Sequence, residues 1–289
     1  MNKNKVTVYI PTHRRPKLLK RAIESVLKQS YKDIELIVVS DGLDPETDKL
    51  MDNYLIRYPN LIYLKYDKPK GACVARNLAI NKASGFFITG LDDDDYFTED
   101  RIEFLVSKWE DKYSFICTKS IFEKRLDSVF YALFSKLNKD LIFGHKDLIK
   151  FNCVGNQVFT KASRLKSELF DERLPALQDW ELWIRLIKAK GLAKRFRHRT
   201  QVKDFDHGFS RISNFERRVR GLSIVKDKHS INNNEIELIK TLWKMEYNMQ
   251  ISMHEYLKLL KGGPFWPVLK MSLREVKKLA QSLNLSNHN

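Results

Sequence analysis

The sequence predicts an α/β fold: a mainly parallel sheet flanked by helices, followed by a helical C-terminal extension. Three observations carry this. The first 110 residues alternate short β-rich runs with stretches of helical periodicity. One run, IELIVVS at Ile34–Ser40, is apolar at most positions, as in a strand buried on both faces. Beyond about residue 214 the periodicity is helical only.

The elements follow in order. Residues 6–10 form the first strand, and residues 17–29 place Leu18, Leu19, Ala22, Ile23, Val26 and Leu27 at helical spacing. After the 34–40 strand, residues 46–58 set Leu50, Met51, Tyr54, Leu55 and Tyr58 on one helical face. Residues 61–66 and 72–83 read as a third strand and helix, and residues 86–91 and 98–112 as a fourth pair. Strands separated by helices imply βαβ crossovers. In the middle, 115–118 and 157–160 read as strands, and 162–169 and 179–189 as helices. Helical patterns then cover 214–226, 235–251, 253–260 and 268–283. The expected organisation is one α/β domain over 1–212 and a helical extension over 213–289, with a Gly262-Gly263-Pro264 break before the last helix.

Composition narrows the class. The chain has 289 residues, enough for one large domain or one domain with an appendage. Its 52 basic and 36 acidic side chains give +16, which favours an anionic partner: nucleic acid, a membrane surface or a phosphorylated substrate. The excess is uneven, with 18 basic and 17 acidic residues in 1–110, 20 and 12 in 111–210, and 14 and 7 in 211–289. Cys73, Cys117 and Cys153 lie far apart, which excludes a disulfide framework and a zinc ribbon and suits a reducing compartment. No apolar run approaches a membrane span, and the first residues lead directly into VTVYI, so neither a signal peptide nor a transmembrane segment is expected.

A parallel sheet raises the expectation of a nucleotide at the carboxyl ends of its strands. The turn after the first strand, Pro11-Thr12-His13-Arg14-Arg15-Pro16, has no glycine, and no phosphate-binding P-loop motif occurs. An ATPase or a nicotinamide dehydrogenase is therefore disfavoured. The main chemical signal is Asp92-Asp93-Asp94-Asp95, directly after an apolar strand. Adjacent carboxylates repel unless a cation sits among them, and hard oxygen ligands suit Mg²⁺ or Mn²⁺ beside phosphates. The same run also fits an acidic turn capping the next helix. Asp41 follows the second strand in the same way, where an Asx-turn is the simpler reading. Arg76, near the start of a helix, offers a planar fork for phosphate or serves as a surface arginine. Asp179, in Gln178-Asp179-Trp180-Glu181-Leu182-Trp183, sits at a helix start beside aromatics and reads as a general base or as an N-cap, with Glu181 in reserve. His207 and His13 are loop histidines near these segments.

With these elements in order, the chain resembles a family 2 glycosyltransferase of the GT-A fold. The matching segments are VTVYIPTHRRPKLLKRAIESVLKQSYKDIELIVVSDG, GACVARNLAINKASGFFITGLDDDD and LQDWELWIRL, within roughly residues 5–210. The resemblance implies an inverting transfer of sugar from a nucleotide-sugar, a UDP-sugar, to an acceptor hydroxyl. By position it implies that Pro11, Thr12 and Arg14 line the base and ribose pocket, and that Asp41 accepts a hydrogen bond from the base. Arg76 then lies near the base or diphosphate, and Asp92 and Asp93 reach the ribose or the metal's water shell. Asp94 ligates Mn²⁺ or Mg²⁺, His207 approaches the metal or diphosphate, and Asp179 is the base. Where many relatives carry Glu-Asp, this chain has Gln178-Asp179.

The resemblance also implies a cytoplasmic enzyme of bacterial surface-polysaccharide synthesis, such as O-antigen or capsule, acting on a lipid-diphosphate-linked acceptor. Residues 268–283 add an amphipathic pattern with basic flanks, preceded by Phe265 and Trp266, as in an interfacial helix at an anionic membrane. An ordinary docked helix has the same pattern. A sugar nucleotidylyltransferase is the alternative enzyme, although PTHRRP lacks its glycines. A nucleic-acid binder is disfavoured because the aspartate run repels phosphates and no binding signature appears.

Overall fold

The computed structural model describes residues 4–122, 139–150, 152–155, 157–204, 215–247 and 249–262. His207 and the 268–283 segment lie outside the described residues. The chain opens with β1 (Val6–Thr12), α1 (Pro16–Leu27), β2 (Ile34–Ser40), α2 (Pro45–Arg57), β3 (Leu61–Lys65), α3 (Ala72–Lys82) and β4 (Phe87–Gly90). Proline begins both α1 and α2, where its missing N–H costs no hydrogen bond. Next come β5 (Asp95–Phe97), α4 (Arg101–Ser107), β6 (Ile116–Phe122), β7 (Leu141–Phe143), α5 (His145–Lys150), β8 (Phe159–Lys161), α6 (Ala162–Glu168), α7 (Gln178–Lys190) and β9 (Ala193–Lys203). The described residues end with α8 (Phe215–His229), α9 (Asn233–Glu246) and α10 (Met253–Gly262).

The strands form one sheet in the order β3-β2-β1-β4-β8-β6-β9-β5, with β7 paired to β9. The expected parallel arrangement holds for β3-β2-β1-β4. The remainder is mixed: β8 runs antiparallel to β4 and β6, while β6 and β9 are parallel. Four elements, β5, β7, α5 and β9, were not expected from the sequence pattern. The strand β5 grows out of the aspartate run, leaving α4 shorter than residues 98–112 suggested. Both β7 and β9 lack the apolar alternation of a strand. Along β9, Lys194 covers Tyr113 and Phe196 with its stem and ammonium, so a charged sequence still shields an apolar layer.

Register positions the site. The pairing of β1 with β2 runs from Val6 opposite Ile34 to Thr12 opposite Ser40. The pairing of β1 with β4 ends at Tyr9 opposite Gly90. The carboxyl ends of β1, β2 and β4 therefore share one edge, and Asp41 and the aspartate run leave the sheet beside Thr12. Beneath lies a core that includes Val8, Ile10, Ile23, Val38, Met51 and Leu91.

The chain divides into two compact units: Met1–Leu148 with Cys153–Arg173 and Gln178–Ser210, and Ile149–Asn152 with Leu174–Leu177 and Arg211–Asn289. In the second, Leu242, Met245 and Leu259 make a small core between α9 and α10. Asn232 and Glu235 form a capping box at the start of α9. Gly221 of α8 lies so close to the Ala176 carbonyl that a Cβ would stand 2.7 Å from its oxygen. No helix among the described residues is long and apolar enough to cross a membrane.

Gly90 is the tightest point at the site edge. A Cβ there would lie 2.1 Å from Gln157 Oε1 and 2.5 Å from Tyr9 Cζ. Gly90→Ala is expected to destabilise the fold by about 1–3 kcal/mol through overpacking. Denaturant titration measures it, and an unchanged midpoint would refute the close approach.

Candidate active site

The aspartate run is held by groups from several elements. Thr12, at the end of β1, donates its hydroxyl to Asp93 Oδ2 at 2.7 Å. Arg15 reaches Asp93 at 3.0 Å and Asp94 at 3.2 Å. Arg21 donates to the Asp94 carbonyl at 2.7 Å and pairs with Asp204 at 2.7 Å. Arg76, from α3, pairs with Asp92 at 3.0 Å and donates to Gln178 Oε1 at 3.2 Å. Gln157 Nε2 donates to the same Asp92 oxygen at 3.2 Å. Gln201, from β9, donates to Asp95 Oδ2 at 2.7 Å.

Burial separates the four carboxyls. Asp93 and Asp95 are buried, and Asp92 and Asp94 keep 22% and 25% of their side chains exposed. Burial pushes Asp93 up to about 7, against the opposing pull of Arg15 and the Thr12 hydroxyl. Burial likewise raises Asp95 to about 7, against the pull of Lys203. Asp92, Asp94 and Asp95 each offer one oxygen, and these lie within 4.8 Å of one another. Three convergent hard oxygens fit a divalent cation of the Mg²⁺ or Mn²⁺ kind. Asp93 is not in that group; it is turned to Thr12 and Arg15 instead.

Asp41 is buried at the end of β2. Its two carboxylate oxygens accept the Lys70 and Gly71 amides at 2.6 and 2.9 Å, folding that loop against the strand. Each oxygen retains a second lone pair for another donor. The Asp41 carbonyl meets His13 Nδ1. Pro11 is half-buried within β1.

Asp179 stands in the first turn of α7 and is half-buried. Burial raises its pKa, while an amide hydrogen bond from Trp180 and the charges of Arg76 and Lys203 pull it down. Trp180 Nε1 donates to the Leu148 carbonyl at 2.8 Å and Trp183 Nε1 to the Gly155 carbonyl at 3.1 Å, fixing the helix that carries it. Glu181 is fully buried, and Arg185 grips both its oxygens at 2.9–3.1 Å. That pair also ties down Glu168, so Glu181 serves packing and is not placed to take a proton.

The structure thus brings Thr12, Arg76, Asp92, Asp93, Asp94 and Asp179 into one electrostatic cluster. Arg14 is exposed, with a left-handed φ of 53°. That backbone turn leaves Arg15, which sequence reasoning passed over, as the arginine on the aspartates. Gln157, Gln201 and Lys203 were also passed over; each comes from a segment distant in sequence, and no local pattern marked it. An open groove between α1 and α2, lined by Lys20, Leu50, Tyr54 and Tyr58, contains none of the site residues.

Comparison with known proteins agrees with this layout. The family model described as glycosyl transferase family 2 matches residues 7–164. A protein whose name assigns it to colanic acid biosynthesis as a glycosyl transferase, WcaA of Escherichia coli K12, is 30% identical over 232 residues, covering 78% of this chain and 81% of its own. The GalNAc(5)-diNAcBac-PP-undecaprenol beta-1,3-glucosyltransferase of Campylobacter jejuni is 31% identical over 200 residues, covering 67% of this chain and 63% of its own length. Among solved structures, Staphylococcus aureus TarS 1–349 with UDP-GlcNAc superposes at a TM-score of 0.60 and 16% identity, over 90% of this chain and 73% of TarS. The Pyrobaculum calidifontis mannosyltransferase PcManGT with GDP-Man and Mn²⁺ gives 0.61 and 15%, over 96% and 80%. These two likenesses show the GT-A fold, and with the family match they lead to one assignment: the chain belongs to glycosyl transferase family 2.

Proposed function

We propose that this glycosyltransferase inverts the anomeric centre, takes a UDP-sugar as donor and extends a lipid-diphosphate-linked glycan in bacterial surface-polysaccharide synthesis. Residues 1–212 are the catalytic part in this reading and 213–289 the extension. The observation that carries it is Arg76, which pairs with Asp92 and hydrogen-bonds Gln178, the neighbour of Asp179. One cation joins the carboxylates at the donor edge to the helix start that bears the base.

Roles follow from placement. Thr12, Pro11 and Asp41 border the strand ends where the base and ribose would lie. Arg14 and His207 keep the pocket and metal roles implied by family position. Asp94, with Asp92 and Asp95, would hold Mn²⁺ or Mg²⁺, which when bound neutralises charge on a nucleoside diphosphate. Asp93 holds Thr12 and Arg15 in place around that group. Asp179, whose pKa burial raises above the usual carboxylate value, takes the proton of the acceptor hydroxyl. Face-on attack aided by one base gives inversion.

The Campylobacter relative's name, with its undecaprenol-diphosphate acceptor, and the TarS complex with UDP-GlcNAc support the acceptor and donor classes. The basic 211–289 region and the interfacial pattern of 268–283 support a peripheral place at the inner face of the membrane.

A screen of UDP-sugars by UDP release is the direct test. Release is expected to need Mn²⁺ or Mg²⁺ and to stop with EDTA; pyrophosphate release from UTP and a sugar 1-phosphate would replace this reading with a nucleotidylyltransferase. Asp179→Asn is expected to keep UDP affinity while turnover falls by about 10²-fold or more; an equal loss of UDP affinity would make Asp179 structural. Deleting residues 264–289 is expected to reduce sedimentation with anionic liposomes at low salt. Full-length protein that ignores such liposomes would remove the membrane part of the proposal.

A further inference from the structure

Lys203 ends β9 directly opposite Asp95 in the antiparallel ladder with β5. It is half-buried. Its charge acts on both Asp95 and Asp179. Its Nζ also approaches Gly155 of the loop before β8, lying 3.5 Å from where a Cβ on that glycine would stand. Gly155 has a left-handed φ of 81°, and its carbonyl is held by Trp183 of α7. The ammonium is therefore placed among the aspartate run, the base helix and a pinned glycine turn.

Among the described residues, two other cations of the site, Arg15 and Arg76, are already engaged. Arg15 is committed to Asp93 and Asp94, and Arg76 to Asp92 and Gln178. Lys203 forms no ion pair within 4 Å among the described residues. A compact ammonium with three donors, half-desolvated and uncommitted, is suited to an anionic oxygen that arrives with a ligand.

We propose that Lys203 is a diphosphate-binding residue: its ammonium contacts a phosphate oxygen of the nucleoside diphosphate and stabilises the charge that collects there as the sugar leaves. The assignment rests on the nucleotide-sugar reading above and adds to it a residue from the far side of the sheet. It involves no covalent step; the bond that breaks is the sugar–phosphate bond, and its electron pair stays on the diphosphate oxygen beside Lys203.

The test compares wild type, Lys203→Met and Lys203→Arg in the full-length chain. Ligand-detected NMR reads the Kd for UDP and for uridine, which lacks both phosphates, with Mn²⁺ replaced by Mg²⁺ to avoid broadening. Thermal melting of all three proteins accompanies it. Lys203→Met is expected to weaken UDP by about tenfold or more, the scale of one charge-assisted contact, while uridine binding stays within about twofold. Lys203→Arg, which keeps the charge, is expected to restore most of the UDP affinity. UDP affinity unchanged in Lys203→Met overturns the assignment. So does an equal loss for UDP and uridine, or an equal UDP loss in both variants, because each marks a role in shape. Wild-type protein that binds neither UDP nor another nucleoside diphosphate defeats the underlying reading, and this assignment falls with it.

Discussion

Four consecutive carboxylates at the end of a buried strand are the constraint around which the larger compact unit is arranged. Left alone they repel, and burying two of them adds a desolvation cost. The fold answers with Arg15 from the start of α1, Arg76 from α3, Thr12 from β1 and Gln201 from β9. Each counter-group depends on a register: Thr12 meets Asp93 because β1 outruns β4 by three residues past the Tyr9–Gly90 pair, and Gln201 meets Asp95 through the β5–β9 ladder. Such half-buried, multiply hydrogen-bonded pairs are far costlier to break from one side than exposed ones.

That arrangement divides labour among chemically identical residues. Asp93 is spent on Thr12 and Arg15, which leaves Asp92, Asp94 and Asp95 to converge. Burial works against the ionised forms of Asp93 and Asp95. A divalent ion would relieve this by favouring the ionised forms. Arg76 extends the same network to α7, so Asp179 feels the charge of Asp92 and Arg76 together. Substitutions at Arg76 would therefore disturb both halves of the site at once.

Much of this was legible from local pattern. The βαβ half reads directly because its strands are apolar runs and its helices carry an apolar stripe, and Asp41, the aspartate run and Asp179 all sit at element ends. What was not legible depends on pairing between distant segments. Nothing near Lys203 or Gln201 in the chain announces that β9 lies against β5, because five of the eleven residues of β9 are Lys or Arg and hide the alternation of a strand. The choice of Arg15 over Arg14 rests on one left-handed residue in a turn without glycine, a conformation that composition does not predict. Glu181 and Asp179, two residues apart, look interchangeable as acids; only the presence of Arg185 one turn on, clamped to Glu168 as well, shows which one is structural.

The central claim is that Asp94 belongs to the cation-holding group and Asp93 supports it from behind. The most direct measurement is an electron paramagnetic resonance titration of free Mn²⁺ with wild type, Asp93→Asn and Asp94→Asn in the presence of UDP. The account predicts that Asp94→Asn weakens Mn²⁺ binding by about tenfold or more and by clearly more than Asp93→Asn, which retains an oxygen for Thr12. Greater damage from Asp93→Asn, or wild-type protein that leaves the free Mn²⁺ signal untouched, would contradict it.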